Sequence, residues 1–146
     1  MMNESIHTIM TPNPICVHFN TSLTELFDLI LRKNIHSLPV LKGGELVGMV
    51  SSYDLANLVS MRNDFNTIIA GDVMKRKFPR LSPDDKIGTA AELLLDRRFK
   101  ALPVVNNSRV VGIVTSYDVL RYEFKREYRT PILYKEVFDI NRRAAM

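Results

Sequence analysis

The stretch Val47-Gly-Met-Val-Ser-Ser-Tyr-Asp54 recurs 64 positions later as Val111-Gly-Ile-Val-Thr-Ser-Tyr-Asp118. The tripeptide Leu-Pro-Val precedes both copies at the same offset, at residues 38–40 and 102–104. Farther out, Met10 returns as Met74. The period is longer than the roughly 20–50 residues of a solenoid unit, and two copies are too few for an open array. We therefore expect one globular unit built from two similar halves.

The composition sets the size and class of this unit. At 146 residues and 46% hydrophobic content, the chain can bury one core or two closely joined ones. No apolar run approaches the ~18–20 residues of a membrane span, and the N-terminus lacks a secretory pattern. Cys16 is the sole cysteine and cannot form an internal disulfide, so we expect a cytoplasmic protein that does not enter the membrane.

The charge is modest and unevenly placed. The net charge of +4 is spread along the chain, except that residues 125–146 combine basic and aromatic side chains. We call this segment the C-terminal tail. It is more typical of a solvated helix or an oligomer contact than of a nucleic-acid site. We divide the chain into a first repeat (1–62), a second repeat (63–124) and the tail.

Each half carries the same order of signals, which predicts β-α-β-β-α. Ser22 and Glu25 form a capping-box pattern before residues with helical periodicity, and residues 82–85 are expected to open the corresponding helix with Pro83 in its first turn. Two apolar strands joined by a turn follow, and then a second helix, in which Leu55, Leu58 and Val59 share a face. A polar linker is expected at residues 60–71.

A Gly-x-x-Ser/Thr-x-x-Asp pattern lies in both halves where the second of these strands gives way to a helix. Ser51 with Asp54, and Thr115 with Asp118, have the spacing of a helix cap. A capped helix N-terminus also offers backbone N–H groups to an anion. For a single copy the capping interpretation is favoured. Two equivalent copies raise the case for an anion site, and both roles are compatible.

With these motifs the chain resembles the cystathionine-β-synthase (CBS) domain family, as a stand-alone tandem pair or Bateman module. The resemblance covers about residues 5–125 and rests on the repeated order of elements. It implies an α/β fold of the α+β type, with two repeats related by a pseudo-twofold axis. It also implies a regulatory module that binds AMP, ADP or ATP in clefts between the halves, with S-adenosylmethionine as a less favoured ligand.

The resemblance assigns roles to residues of the repeated motif. Asp118 would bind the ribose hydroxyls, Thr115 the phosphate, and Ile113 the base, with Tyr117 beside the acid. The same roles pass to the first copy, at Asp54, Ser51 and Met49.

Other residues are implied by the family's pattern of cleft lining. Residues before each Leu-Pro-Val strand line the clefts, with His36 and Lys100 at equivalent positions facing the phosphates or simply exposed to solvent. Each cleft also uses a segment from the other half. At the Asp54 site this segment includes Pro79, which has no N–H for a backbone contact to the base, so the Asp118 site is ranked higher. The residues concerned are Ile35, His36, Ser37 and Lys100, with Pro14 and Ile15 at the Asp118 site and Phe78 and Pro79 at the Asp54 site.

Catalytic and metal chemistry find little support in the sequence. No nucleophile–base pair is apparent, and Cys16 with His18 would give only two ligands on one strand face. We therefore expect no enzyme activity, no metal and no cofactor beyond the nucleotide. Apolar helix faces favour a homodimer that regulates an unidentified protein. The alternative is a ligand-free scaffold that works through the C-terminal tail.

Overall fold

The first of two three-stranded sheets is built almost entirely from the first half. The computed structural model describes residues 2–61 and 64–128. In the first sheet β2 runs parallel to β3, and β3 is antiparallel to β4. Its elements are β2 (Val17–His18), α1 (Leu23–Arg32), β3 (Ser37–Lys42), β4 (Glu45–Ser51) and α2 (Ser52–Met61).

The second sheet contains β1 (Thr11–Pro12), β6 (Arg109–Thr115) and β5 (Ala101–Asn106), in that order, and its edge strand β1 comes from the N-terminal part of the chain. β1 follows a 3-10 helix (Ile6–Thr8) and is antiparallel to β6, with Thr11 opposite Ile113. The helices of the second half are α4 (Ile87–Leu95) and α5 (Ser116–Glu127). The short helix α3 (Ala70–Val73) packs on the first half, where Ala70 is buried in the core.

The two halves match in their hairpins and their long helices, which confirms the predicted mixed α and β fold. The counterpart of β2 in the second half is reduced to a single parallel bridge between Leu81 and Val104. β3 and β5, like β4 and β6, lie 64 residues apart, and the same register shift follows Val40 and Val104. Both hairpin turns use positive φ angles, at Gly43 and Gly44 in the first half and at residues 107–108 in the second. Glycine and asparagine tolerate this left-handed conformation.

Each hydrophobic core includes a side chain contributed by the other half of the chain. Ile6 is fully buried against Leu81 and Leu102 in the core of the second half. Its backbone N–H donates to the Asp85 carbonyl oxygen at 2.8 Å. In the same way, Ile68 is buried in the core of the first half. The N-terminal segment of each repeat therefore packs into the core of the other repeat, and neither core is complete without its partner.

Some predicted element boundaries were wrong. α4 begins at Ile87 and not at residues 82–85, because the Asp85 carboxylate accepts a 2.7 Å bond from the Ser82 N–H and closes a separate turn. The predicted linker overlaps two helices, since α2 runs to Met61 and α3 begins at residue 70. Val59 is 47% exposed, so it does not share the buried face of Leu55.

Two further findings concern the ends of the predicted elements. Ser22 caps α1 as predicted, by accepting a bond from the Glu25 N–H at 3.3 Å. Residues 125–127 continue α5, whereas most of the C-terminal tail lies outside the described residues. Within the described part of the chain, no helix has the length and apolar character needed to cross a bilayer.

Candidate functional site: two cavities between the repeats

Cavity 1 has a volume of about 670 Å³ and is formed by both halves. Met49, Ser51 and Asp54 come from β4 and α2 in the first half. Phe78 and Lys100 come from the second half. The structure thus brings together the residues proposed for the Asp54 site, apart from Pro79, which does not line the cavity.

Cavity 2 has a volume of about 500 Å³ and is the symmetry-related counterpart of cavity 1. Ile113, Thr115 and Tyr117 line it from the second half, and Ile35 and His36 line it from the first. Three residues line both cavities, namely Ser37, Lys100 and Ala101. The two cavities therefore adjoin where β3 and β5 begin, and Lys100 lies at this junction, whereas its equivalent His36 lines only cavity 2.

A reciprocal cap holds the Asp118 carboxylate beside cavity 2. The Thr115 backbone N–H and hydroxyl both donate to Asp118 Oδ2, at 2.8 and 3.0 Å, and the Asp118 N–H donates to Thr115 Oγ1 at 3.3 Å. This capping box begins α5. It engages Oδ2 of the carboxylate, so the cap and a ligand contact through Oδ1 are compatible.

Asp54 and Ser51 repeat this geometry in cavity 1. The Ser51 N–H and hydroxyl each donate to Asp54 Oδ2 at 2.8 Å, and the Asp54 N–H donates to Ser51 Oγ at 3.2 Å. Here the other oxygen also has a partner, because Lys75 Nζ lies 3.5 Å from Asp54 Oδ1. The Asp54 side chain is 11% exposed and that of Lys75 is 44% exposed.

Strand alternation separates cavity residues from core residues. Val50 and Val114 are completely buried in the two cores. Their neighbours Met49 and Ile113 line the cavities. Successive side chains on a strand point to opposite faces, which explains the division. Each cavity thus presents one apolar side chain near a carboxylate that caps a helix.

The structure does not place every proposed site residue in a cavity. Asp118 is beside cavity 2, hydrogen-bonded to the lining residue Thr115, but does not itself line it. Pro14 and Ile15 follow β1, which pairs with Ile113, and they also lie outside the cavity lining. Ile15 is 45% exposed.

Cavity 1 also has polar lining residues outside the repeated motif that were not predicted from the sequence. They are Lys75, Lys77, Asp96, Arg97 and Arg98, and Tyr53 of the motif lines the cavity as well. Two basic clusters in the sequence, at residues 75–77 and 97–100, were an available signal. Arg98 binds Asp96 through Nε at 3.0 Å and through a terminal nitrogen at 2.6 Å, and this contact lowers the pKa of Asp96 to about 2.

The family follows from a direct comparison of sequences. The CBS domain model matches residues 6–60 and 70–125. The chain belongs to the CBS domain family. The two matched segments contain all the strands of the described fold and all of its long helices except the last one or two residues of α2 and α5. The tandem arrangement expected from the repeated motif is thereby confirmed.

Two curated relatives are much longer than this chain. MJ1225 of Methanocaldococcus jannaschii is 32% identical over an alignment of 132 residues, with coverages of 82% of this chain and 47% of that protein. L-aspartate semialdehyde sulfurtransferase of the same organism is 30% identical over 118 residues, covering 80% of this chain and 22% of the enzyme. The chain spans less than half the length of either relative.

Solved structures of CBS pairs share the fold. The CBS pair of MJ0100, in complex with 5′-methylthioadenosine and S-adenosyl-L-methionine, has a TM-score of 0.76 at 29% identity and covers 85% of this chain and 98% of that one. CBSX2, a protein of Arabidopsis thaliana, in complex with AMP has a TM-score of 0.73 at 29% identity, with coverages of 86% and 99%. The ligands named in both complexes contain adenosine.

Proposed function

We propose that this chain is a non-catalytic regulatory module that binds adenine nucleotides in its two cavities. The observation that carries the proposal is the duplicated arrangement of an acid and a hydroxyl at a helix start. Asp54 with Ser51 borders cavity 1, and Asp118 with Thr115 borders cavity 2. The same chemistry occurs twice at symmetric places, which a helix cap alone does not require.

Different groups in each cavity suit the ribose, the phosphate and the base of a nucleotide. In each cavity the carboxylate oxygen that is outside the cap, Oδ1 of Asp54 or of Asp118, accepts hydrogen bonds from the ribose hydroxyls. Thr115 binds phosphate at the start of α5 when its hydroxyl turns from Asp118 Oδ2 to a phosphate oxygen. Met49 and Ile113 offer apolar contact to a base. Lys100, which lines both cavities, and His36, which lines cavity 2, supply charge or hydrogen bonds to phosphate oxygens.

The relatives support this proposal from a separate direction. The ligands named for the MJ0100 and CBSX2 complexes share the adenosine moiety that the two carboxylates would recognise. The choice among AMP, ADP and ATP, with S-adenosylmethionine less favoured, belongs to this proposal. Regulation would follow from differential affinity, because a ligand shifts an equilibrium only when it binds one arrangement more tightly.

Mass spectrometry of small molecules released from the purified protein, followed by calorimetric titration, tests the proposal. We expect adenine nucleotides to be released, and AMP or ATP to bind the emptied protein. The Asp118→Ala variant should bind about 10–100-fold more weakly, as for loss of a charge-assisted hydrogen bond.

The matched control separates ligand binding from helix capping. Asp85 closes a turn through the same kind of carboxylate–backbone bond but lines neither cavity, so Asp85→Ala should leave binding unchanged. Equal weakening in both variants would reduce Asp118 to a structural cap. If the protein binds no adenine compound at all, the scaffold alternative replaces the proposal.

A further inference from the structure

The two cavities differ strongly in charge. Cavity 2 is lined by Lys100 and His36, with no carboxylate among its lining residues. Cavity 1 holds two carboxylates, Asp54 and Asp96, and a larger set of cationic side chains. The cationic residues of cavity 1 are Lys75, Lys77, Arg97, Arg98 and Lys100.

This difference arises where the repeat is broken. The positions equivalent to Lys75 and Lys77 in the first half, 64 residues earlier, are Thr11 and Asn13. The position equivalent to Arg98 is Asn34, which lines cavity 2. Elements that the two halves share build both cavities alike, and these three exchanges supply three of the five cationic side chains of cavity 1.

Lys75 contacts Asp54 Oδ1, the carboxylate oxygen that a ribose hydroxyl would otherwise bind. Its Nζ lies 3.5 Å from Asp54 Oδ1 and 5.9 Å from the centre of the Tyr53 ring. Its backbone is fixed by a pair of bonds with Met49, at 2.8 and 3.0 Å. A ribose hydroxyl in cavity 1 must compete with this ammonium, whereas a phosphate oxygen can join it, because an ammonium has three donors.

The two arginines of cavity 1 differ in their ion pairing. Arg98 is held by Asp96 in a bidentate contact. Arg97 makes no ion pair with any residue of the described ranges. Arg97 and Lys77 are thus open to an anion. A chain of two or three phosphates carries more negative charge and more acceptor oxygens than a single phosphate, so it can engage more of these cations.

We propose that cavity 1 selects a nucleoside polyphosphate, such as ATP, and that cavity 2 takes adenosine or its monophosphate. This rests on the proposed function, since it assigns different ligands to the two cavities. Lys75 is the specificity-determining residue. It raises the affinity for phosphate chains and lowers the affinity for ribose at the same carboxylate.

Methyl NMR spectroscopy can follow each cavity separately in the whole chain. The Met49 methyl group reports on cavity 1 and the Ile113 methyl group on cavity 2. Their signals are assigned with Met49→Leu and Ile113→Val. Titration with ATP should shift the Met49 signal at lower concentration than the Ile113 signal, and titration with AMP or adenosine should do the reverse.

The variant Lys75→Thr installs the residue of the equivalent position in the first half. We expect it to lower the ratio of ATP affinity to AMP affinity at the Met49 signal about tenfold, as for loss of one charge-assisted contact. Its affinity for adenosine should not fall. Lys86→Thr removes an exposed lysine that lines neither cavity, so it should change neither the ratio of ATP to AMP affinity nor the adenosine affinity.

The outcomes separate this inference from the proposed function. Parallel saturation of both methyl signals by every nucleotide overturns the inference and leaves nucleotide binding intact. An equal loss of adenosine and ATP affinity in Lys75→Thr also overturns it, because Lys75 would then act on the structure alone. If inorganic tripolyphosphate shifts the Met49 signal and no nucleotide shifts either signal, both proposals fail.

Discussion

Gly48 is a position where one added methyl group should destabilise the fold. A Cβ atom there would lie 2.3 Å from the Sδ atom of Met74 and 2.9 Å from its Cβ atom. The sulfur could swing aside, but the Cβ of Met74 moves only with its backbone. That backbone is fixed, since the next residue, Lys75, exchanges two hydrogen bonds with Met49.

The cost of Gly48→Ala can be set from this geometry. Overpacking a close-packed site costs about 1–3 kcal/mol, and Met74 is only 8% exposed, so solvent offers it little room. We expect the free energy of unfolding to fall by that amount in urea denaturation. Gly88→Ala is the control, because its new Cβ meets nothing closer than 3.4 Å and alanine favours a helix, which predicts a gain of up to about 1 kcal/mol.

A double variant tests the mechanism itself. Met74→Ala alone should cost about 2–5 kcal/mol, as for truncation of a buried side chain. Combined with Gly48→Ala it should cost less than the sum by at least about 1 kcal/mol, because the added and deleted atoms occupy the same space. A neutral Gly48→Ala variant, or strictly additive costs, would refute the reasoning. The same test applies to Gly112, where Met10 makes the equivalent contact.

Three further predictions follow from the described contacts. Ile6→Ala should lower the stability by about 2–5 kcal/mol in urea denaturation, since this N-terminal side chain is fully buried in the second core; a change below about 0.5 kcal/mol would contradict the crossed packing. In Arg98→Gln, carbon-detected NMR should show the pKa of Asp96 rising from about 2 toward 3.8. Because the pKa of Asp96 is depressed in the folded parent protein, the stabilising contribution of the Asp96–Arg98 pair is present above about pH 4 and is lost as the pH falls toward 2. Light scattering should give a dimer mass at micromolar concentration, because Leu31 and Leu95 are 76% and 82% exposed at equivalent helix positions, and a monomer mass would count against the proposed helix-mediated dimer.

The repeat made much of the fold predictable. Equal spacing at residues 47–54 and 111–118 implied equivalent strands and helix starts, and the strands, turns and caps match accordingly. The start of α4 was mispredicted because Ser82 and Asp85 carry a capping pattern but use it to close a turn. Local sequence does not distinguish these two outcomes, since both satisfy the same N–H groups.

The cavities were predictable only where the repeat continues. The carboxylates and hydroxyls recur in both halves, whereas the counterparts of Lys75 and Lys77 are the uncharged Thr11 and Asn13, so the repeat could not indicate these two lysines. The crossing of Ile6 into the second core depends on pairing between distant segments, which short-range patterns do not encode. We propose that the repeats remain sequence units at 1–62 and 63–124, although their cores exchange segments.

The most direct test of the account is a calorimetric titration of AMP and ATP into the parent protein and into the Asp54→Ala, Asp118→Ala double variant. Removal of both carboxylates takes the proposed ribose contact from both cavities at once. The Asp72→Ala, Asp85→Ala double variant loses two comparable carboxylate–backbone bonds outside the cavities and controls for stability. We expect measurable binding in the parent and the control, and a loss of at least about tenfold in the cavity variant. Equal nucleotide affinity in all three proteins would contradict it.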